Sequence, residues 1–129
     1  MTSRVHSVTV DSRDPYRLAV FWAEVLGGTL ADDDHPGDPE ATVRCDGATL
    51  LFLTVPEGKT VKNRLHLDIE AAAGSTRDAE ITRVLTLGAT LADDRRRTDG
   101  SGWAVLHDPE GNEFCVVRNT AERTPTHPA

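Results

Sequence analysis

Apolar residues recur along this chain in two rhythms, a period near two that predicts strands and a period near 3.6 that predicts helices. Residues 103–117 show the first most clearly: WAVLH and EFCVV are short alternating runs joined by Asp108-Pro109-Glu110-Gly111-Asn112. Pro fixes φ, Gly and Asn tolerate positive φ, and Asp hydrogen-bonds the backbone ahead of it, so the joint reads as a hairpin turn. Trp103, Val105 and His107 then share one face of the first strand, and Glu113, Cys115 and Val117 share one face of the second. Upstream, residues 4–10 carry Val at 5, 8 and 10 and read as a strand. Asp14-Pro15 opens a helix as N-cap and first helical residue. Leu18, Phe21, Trp22, Val25 and Leu26 form its apolar stripe, and Gly27-Gly28 ends it. Residues 29–31 predict a short strand and 32–39 an acidic loop. Residues 40–45 and 48–55 predict a hairpin around Asp46-Gly47. A polar linker at 56–63, with Glu57, Gly58, Lys59 and Lys62, leads to a strand at 64–70. Ser75-Thr76 caps a second helix that buries Ile81, Val84 and Leu85, with Gly88 just past its end. A strand at 89–92 and an Arg/Asp/Gly loop precede the final hairpin.

The order strand, helix, three strands therefore occurs twice. It is echoed in letters: LGGTLADD at 26–33 returns as LGATLADD at 87–94, with seven of eight positions identical. Agreement of element order with a repeated segment predicts a duplicated βαβββ unit. The expected class is α+β: a single domain over residues 1–119, made of modules at 4–56 and 64–118, with a polar, frayed tail at 120–129.

Composition narrows the partners. The net charge of −7 opposes a nucleic-acid surface, which needs a basic stripe. The one basic cluster, Arg95-Arg96-Arg97, is flanked by Asp93-Asp94 and Asp99 and reads as a solvated loop. No apolar run approaches a membrane span, and the N-terminus shows no basic-then-apolar signal segment, so the expectation is a cytoplasmic protein. Cys45 and Cys115 lack C-x-x-C spacing and are expected to be free thiols.

Paired βαβββ modules, Phe21-Trp22 shortly before Leu26-Gly27, and the stretches DPYRLAVFW, KNRLHLDI and DPEGNEFCV resemble the vicinal oxygen chelate superfamily. That group contains glyoxalase I, bleomycin-resistance proteins, fosfomycin-resistance enzymes and extradiol dioxygenases, and the resemblance is to its glyoxalase-like branch, over residues 4–118. It implies curled half-barrel sheets around an inter-module cavity, often completed in a homodimer. Catalytic members hold a divalent metal there on His, Gln and Glu. The resemblance places the first ligand position at Ser7, beside His6, and a further acid of the inner hairpin strand at Phe52. It places a histidine of the second module at His66, and the last ligand, normally Glu, at Cys115. Only His66 keeps a ligand type in its family place.

The residues leave several readings open. His66 and Asp68 share a strand face and are the catalytic candidates, as general base or substrate anchor; the plainer alternative is a pair that holds the hairpin. Trp103 offers a flat wall with one N–H donor, His107 lies on its face, and Phe52 offers a second apolar wall. Arg64, with Lys59 and Lys62, forms a basic rim suited to an anionic ligand. Cys115 is a nucleophile only if a neighbouring base or cation activates it, and is otherwise a small buried hydrophobe. The expected function is binding of a small organic molecule by His66, Asp68, Trp103, His107, Cys115, Phe52 and Arg64, with no cofactor required. The alternative is a metal-dependent lyase, isomerase or dioxygenase using Fe, Zn, Mn, Ni or Co. Its metal would sit on His66, Glu113 and His6, or on His66, Cys115 and His107 as a zinc site.

Overall fold

The computed structural model of the chain describes residues 1–123, and these fall into two compact units that divide between Thr60 and Val61. The first contains β1 (Val8–Ser12), α1 (Pro15–Leu26), β2 (Thr29–Leu30), β3 (Glu40–Cys45) and β4 (Ala48–Thr54). Its four strands form one open sheet in the order β1-β4-β3-β2, with β1 parallel to β4 and the other pairs antiparallel. The strand expected at 4–10 runs instead from 8 to 12. Val8 pairs with Leu50 and Ser12 with Thr54, so residues ahead of Val8 run out towards the Asp46-Gly47 turn and find no ladder partner.

α1 forms where its caps allow it. The Asp14 carboxylate accepts the Arg17 N–H at 3.3 Å, Pro15 occupies the first turn, and Gly27 ends the helix in the left-handed region at φ 64°. Its stripe of Leu18, Ala19, Phe21, Trp22 and Val25 is buried, as are Ala41, Val43, Leu50 and Phe52 on the strands beneath. Phe21 and Trp22 meet edge to face with centroids 5.3 Å apart. Side chains alternate along a strand, so Leu50 and Phe52, at the middle of one face of β4, both belong to this core.

The second unit repeats the plan. It contains β5 (Asp68–Glu70), α2 (Arg77–Leu87), β6 (Thr90–Asp94), β7 (Ala104–His107), β8 (Glu113–Val117) and the short α3 (Thr120–Arg123). Its sheet order, β5-β8-β7-β6, is that of the first with each strand replaced by its counterpart. Neither sheet closes on itself. Thr76 caps α2 by accepting the Ala79 N–H at 3.1 Å. Ile81 and Val84 are buried against a sheet face made of Ile69, Ala104, Leu106, Phe114 and Val116. Leu85, expected on the buried stripe, is 39% exposed. The stripe is centred on Arg77, Glu80, Ile81 and Val84, and at 100° per residue Leu85 falls at its edge.

Other expectations shift at the ends of elements. The strand expected at 64–70 shortens to Asp68–Glu70; Asp68 pairs with Cys115, and in that register residues 64 and 65 would lie opposite the 108–112 turn, beyond the start of β8 at Glu113. That turn is held from inside: one Asp108 carboxylate oxygen accepts the Glu110 and Asn112 N–H groups at 2.9 and 3.0 Å. β6 runs to Asp94 with an irregularity between Leu91 and Asp93. The tail begins with a helical turn, because Asn119 and Glu122 cap each other, each side chain accepting the other's backbone N–H. The remainder of the expected tail, residues 124–129, lies outside the described residues. Among the described residues no helix is long and apolar enough to cross a membrane.

Gly28 is where the first unit has no room to spare. A Cβ there would stand 2.8 Å from the Arg44 carbonyl oxygen and 2.8 Å from Val43 Cγ1, and the carbonyl is pinned in the β2–β3 ladder. Gly28→Ala is expected to lower stability by about 1–3 kcal/mol through overpacking, read as a reduced urea midpoint at unchanged m-value.

Candidate functional site

Strand alternation divides the second sheet into two chemistries. One face is covered by α2; on the other, Asp68 of β5, Val105 of β7 and Glu113, Cys115 and Val117 of β8 point the opposite way. These five line a pocket of about 480 Å³, completed by Lys62 and His66 ahead of β5, Asp93 and Arg95 at the end of β6, and Trp103. Every lining residue belongs to the second unit.

The polar centre of the pocket comes from the β5–β8 register. Parallel pairing sets Asp68 opposite Cys115, and the Cys115 N–H donates to the Leu67 carbonyl at 2.9 Å. His66, two residues before Asp68, turns its Nδ1 to 3.0 Å from Asp68 Oδ1 and 4.0 Å from Cys115 Sγ. An ionised Asp68 can only accept, so in that pairing Nδ1 carries the proton and the Nε2 lone pair remains for a ligand. The His66 and Asp68 side chains are 39% and 53% exposed, whereas Cys115 is buried. Burial, followed by the charge of Asp68 and its hydrogen bond, pushes the Cys115 thiol up to about 11, with Lys62 opposing. Cys115 is therefore a protonated thiol at neutral pH, and the activation a cysteine nucleophile needs is reversed here.

The other sequence candidates fall in different places. Glu113 lines the pocket, but one oxygen accepts the Asn63 N–H at 2.8 Å and the other lies 3.4 Å from His107 Nε2. His107 is thereby tied to Glu113 at the turn end of the hairpin. Trp103 is 39% exposed and presents its ring to the pocket. Arg64 is exposed ahead of β5. His6 is exposed ahead of β1 in the first unit, with half-buried Ser7 beside it. Phe52, expected as a cavity wall, is fully buried with Leu50, Ala41 and Val43 on the face that packs beneath α1. One step along a strand reverses the face, and the open face of β4 belongs to Leu51 and Leu53.

Two contributions escaped sequence reasoning. Arg95, grouped with a solvated basic loop, lines the pocket and pairs with Asp93 at 2.7 Å. Arg77, at the first position of α2, is only 5% exposed. Its Nη1 donates to the carbonyls of Gly100, Ser101 and Gly102 at 3.2, 2.9 and 3.0 Å, and its Nε donates to Asp78. The loop it grips joins Arg95 to Trp103, whose backbones are themselves bonded, N–H to carbonyl, at 2.8 Å. A cation in the first turn of a helix opposes the helix dipole, and that misplacement is the sequence signal of a tertiary task.

Compared with known proteins, residues 7–117 match the family model described as "Glyoxalase-like domain". No curated protein matches the chain by sequence. Among solved structures it is similar to the fosfomycin resistance protein FosX from Mesorhizobium loti, at 16% identity over 93% of this chain and 94% of that one, with a TM-score of 0.69. It is also similar to a glyoxalase/bleomycin resistance protein/dioxygenase family enzyme from Burkholderia phytofirmans PsJN, at 20% identity over 88% and 97%, TM-score 0.67. A third likeness is to a mutant FosX from Listeria monocytogenes complexed with Mn(II) and 1S,2S-dihydroxypropylphosphonic acid, at 16% identity over 95% and 98%, TM-score 0.69. At these identities the likeness is one of fold.

Two expectations arise from the site's geometry. Cys115 is expected to resist iodoacetamide at pH 8 while half-buried Cys45 reacts, the Cys115 rate rising only as pH approaches about 11; peptide mass mapping reads both. Because folding raises this thiol from 9.0 to about 11, the native state holds the proton more tightly, so its stabilising effect is present below pH 9 and is lost as pH rises from 9 through 11. Replacing Arg77 by Met leaves three carbonyls without their donor and is expected to cost roughly 2–4 kcal/mol, with hydrogen exchange accelerating first at residues 97–103.

Proposed function

The chain belongs to the glyoxalase-like domain family, and on that premise we propose that it binds a small organic molecule in the second-unit pocket without requiring a catalytic metal. The observation that carries this reading is the pocket's make-up: Trp103, Val105 and Val117 give it an apolar lining beside the convergent polar groups of His66, Asp68 and Cys115. Its volume of about 480 Å³ falls in the range of small-ligand sites, where an apolar lining supplies affinity and a few polar groups fix orientation. The ligand this favours has a flat apolar part to stack on Trp103 and a hydrogen-bonding group for the His66–Asp68 pair. Lys62 and Arg95 stand at the pocket for an acidic substituent. Sequestration of such a molecule is what the resemblance to bleomycin-resistance proteins implies; pairing of two copies and a cytoplasmic setting belong to the same reading.

A second reading, a metal-dependent lyase, isomerase or dioxygenase, is favoured by one observation. Donor atoms of His66, Asp68 and Cys115 all lie within 4.8 Å of one another. These residues, of types that ligate divalent ions, would hold the metal, and when bound it would act as a Lewis acid on a substrate oxygen. The set of His66, Glu113 and His6 is disfavoured because both Glu113 oxygens are engaged by Asn63 and His107.

A thermal-shift screen of aromatic and anionic metabolites against metal-free protein tests the first reading. The expected result is at least one compound that raises the melting temperature and quenches tryptophan fluorescence. Trp103→Ala is expected to weaken it by about 1–2 kcal/mol, the worth of an aromatic contact plus its buried area. A screen with hits only after metal loading would transfer the proposal to the enzyme reading, and hits indifferent to Trp103→Ala would place the ligand elsewhere.

A further inference from the structure

We infer that Glu122 is a positioning residue for the pocket's aromatic wall, acting through Arg77, so that docking of α3 and the placing of Trp103 are linked. The linkage regulates a binding site on the reading proposed above, but it is measured without any ligand.

Trp103 stands where a hairpin extension of β6 rejoins β7. Within the extension the Arg95 N–H donates to the Trp103 carbonyl at 2.8 Å, Arg97 to Ser101 at 2.9 Å and Gly100 to Arg97 at 3.0 Å. Gly100 and Gly102 take φ of 89° and 90°, and a Cβ on Gly102 would run into the Arg95 carbonyl. In that shape three successive carbonyls, of Gly100, Ser101 and Gly102, converge on Arg77 Nη1. Carbonyl oxygens turned to one point repel one another unless a cation sits between them, so the loop keeps its form around the guanidinium. A second tie runs from Arg96 Nη1 to Asp78 at 3.3 Å. Both ties end on residues 77 and 78, in the first turn of α2.

That turn needs support, because the first N–H groups of a helix have no acceptor within it. Thr76 serves Ala79. The Arg77 N–H is served from outside the helix, by Glu122 Oε1 at 2.9 Å across 45 positions of chain. The same oxygen accepts the Asn119 N–H at 3.1 Å. Buried Asn119 in turn donates through Nδ2 to the Ser75 carbonyl at 3.0 Å, just ahead of the cap. The carboxylate charge also suits the positive end of the helix dipole. The relay is therefore the Glu122 carboxylate, the Arg77 backbone, the Arg77 guanidinium, the 100–102 carbonyls and Trp103. Such coupling is reciprocal: whatever lifts α3 from α2 loosens the wall, and a molecule that pins Trp103 holds α3 more firmly.

Residue-resolved hydrogen exchange on the full-length protein tests this. In wild type the Arg95, Arg97 and Gly100 amides are expected to exchange faster than those of β7 and β8, through an opening that also releases α3. Glu122→Ala is expected to speed them roughly fivefold, the effect of losing one cap, and Glu122→Gln, which keeps an acceptor oxygen, less. The Trp103 indole N–H resonance, identified by its loss in Trp103→Phe, is expected to shift in Glu122→Ala while that of buried Trp22 stays. A loss of global stability alone moves neither indole. Arg77→Met cuts the relay, and adding Glu122→Ala to it is expected to change the three hairpin amides less than about twofold. Four results would each overturn the inference: hairpin exchange indifferent to Glu122→Ala, hairpin exchange only together with β7 and β8, an unmoved Trp103 indole, or an effect undiminished by Arg77→Met. The Glu122 variants alter a half-buried turn and decide the matter even where Arg77→Met fails to fold. Ligand screening is a separate measurement, so a pocket that binds nothing leaves the relay standing, and a failed relay leaves the pocket reading intact.

Discussion

Parallel pairing of β5 with β8 puts Asp68 opposite Cys115, and the rest of the second unit's chemistry is arranged about that register. Because side chains alternate, the same pairing that sends Ile69, Phe114 and Val116 towards α2 must send Asp68, Glu113, Cys115 and Val117 the other way. A slip of one residue would carry a carboxylate and a glutamate into the core beside Val84, at a cost of several kcal/mol. Core packing thus enforces the geometry of the polar face. The site is held by residues that never touch it.

Much of this was legible in the sequence, for reasons that can be named. Asp14 and Thr76 start helices through side chains that accept a backbone N–H, and Gly27 and Gly88 end them through their tolerance of positive φ. The alternation of 104–107 and 113–117 is strong enough to fix the hairpin and its sides. What the sequence could not show is which strand lies beside which. His66 and Asp68 are neighbours in the chain, but their convergence on Cys115, 49 and 47 positions further along, exists only once β5 joins β8. Phe52 illustrates the opposite hazard. Its role was assigned by position, whereas the alternation of Leu50 and Phe52 sends both side chains beneath α1, and on a strand one residue separates one face from the other. Arg77 shows in the sequence only as a cation misplaced in the first turn of a helix; its partners, backbone carbonyls of a loop more than twenty residues away, do not show there.

The duplicated segment shows how far local sequence reaches. TLADD forms a two-residue strand in the first unit and a five-residue strand in the second. In the first copy Asp34 folds back, its N–H bonded to the Ala31 carbonyl and its carboxylate accepting the Thr42 N–H at 2.8 Å, so the chain leaves the sheet. In the second, the two aspartates pair with Arg95 and Arg96 at 2.7 Å, and the strand continues beside β7. Identical letters take their length from the residues that come after them.

One difference between those copies has an evolutionary consequence. Gly28 of the first stands where the second has buried Ala89, and only glycine fits against Val43 and Arg44. The two segments agree at seven of eight residues, yet an exchange of the differing residue is not reciprocal. Glycine carried into the second copy forfeits one methyl of packing, whereas alanine carried into the first meets a fixed carbonyl. Gene conversion between the halves would be filtered in one direction, so the repeats can drift together towards glycine but not towards alanine.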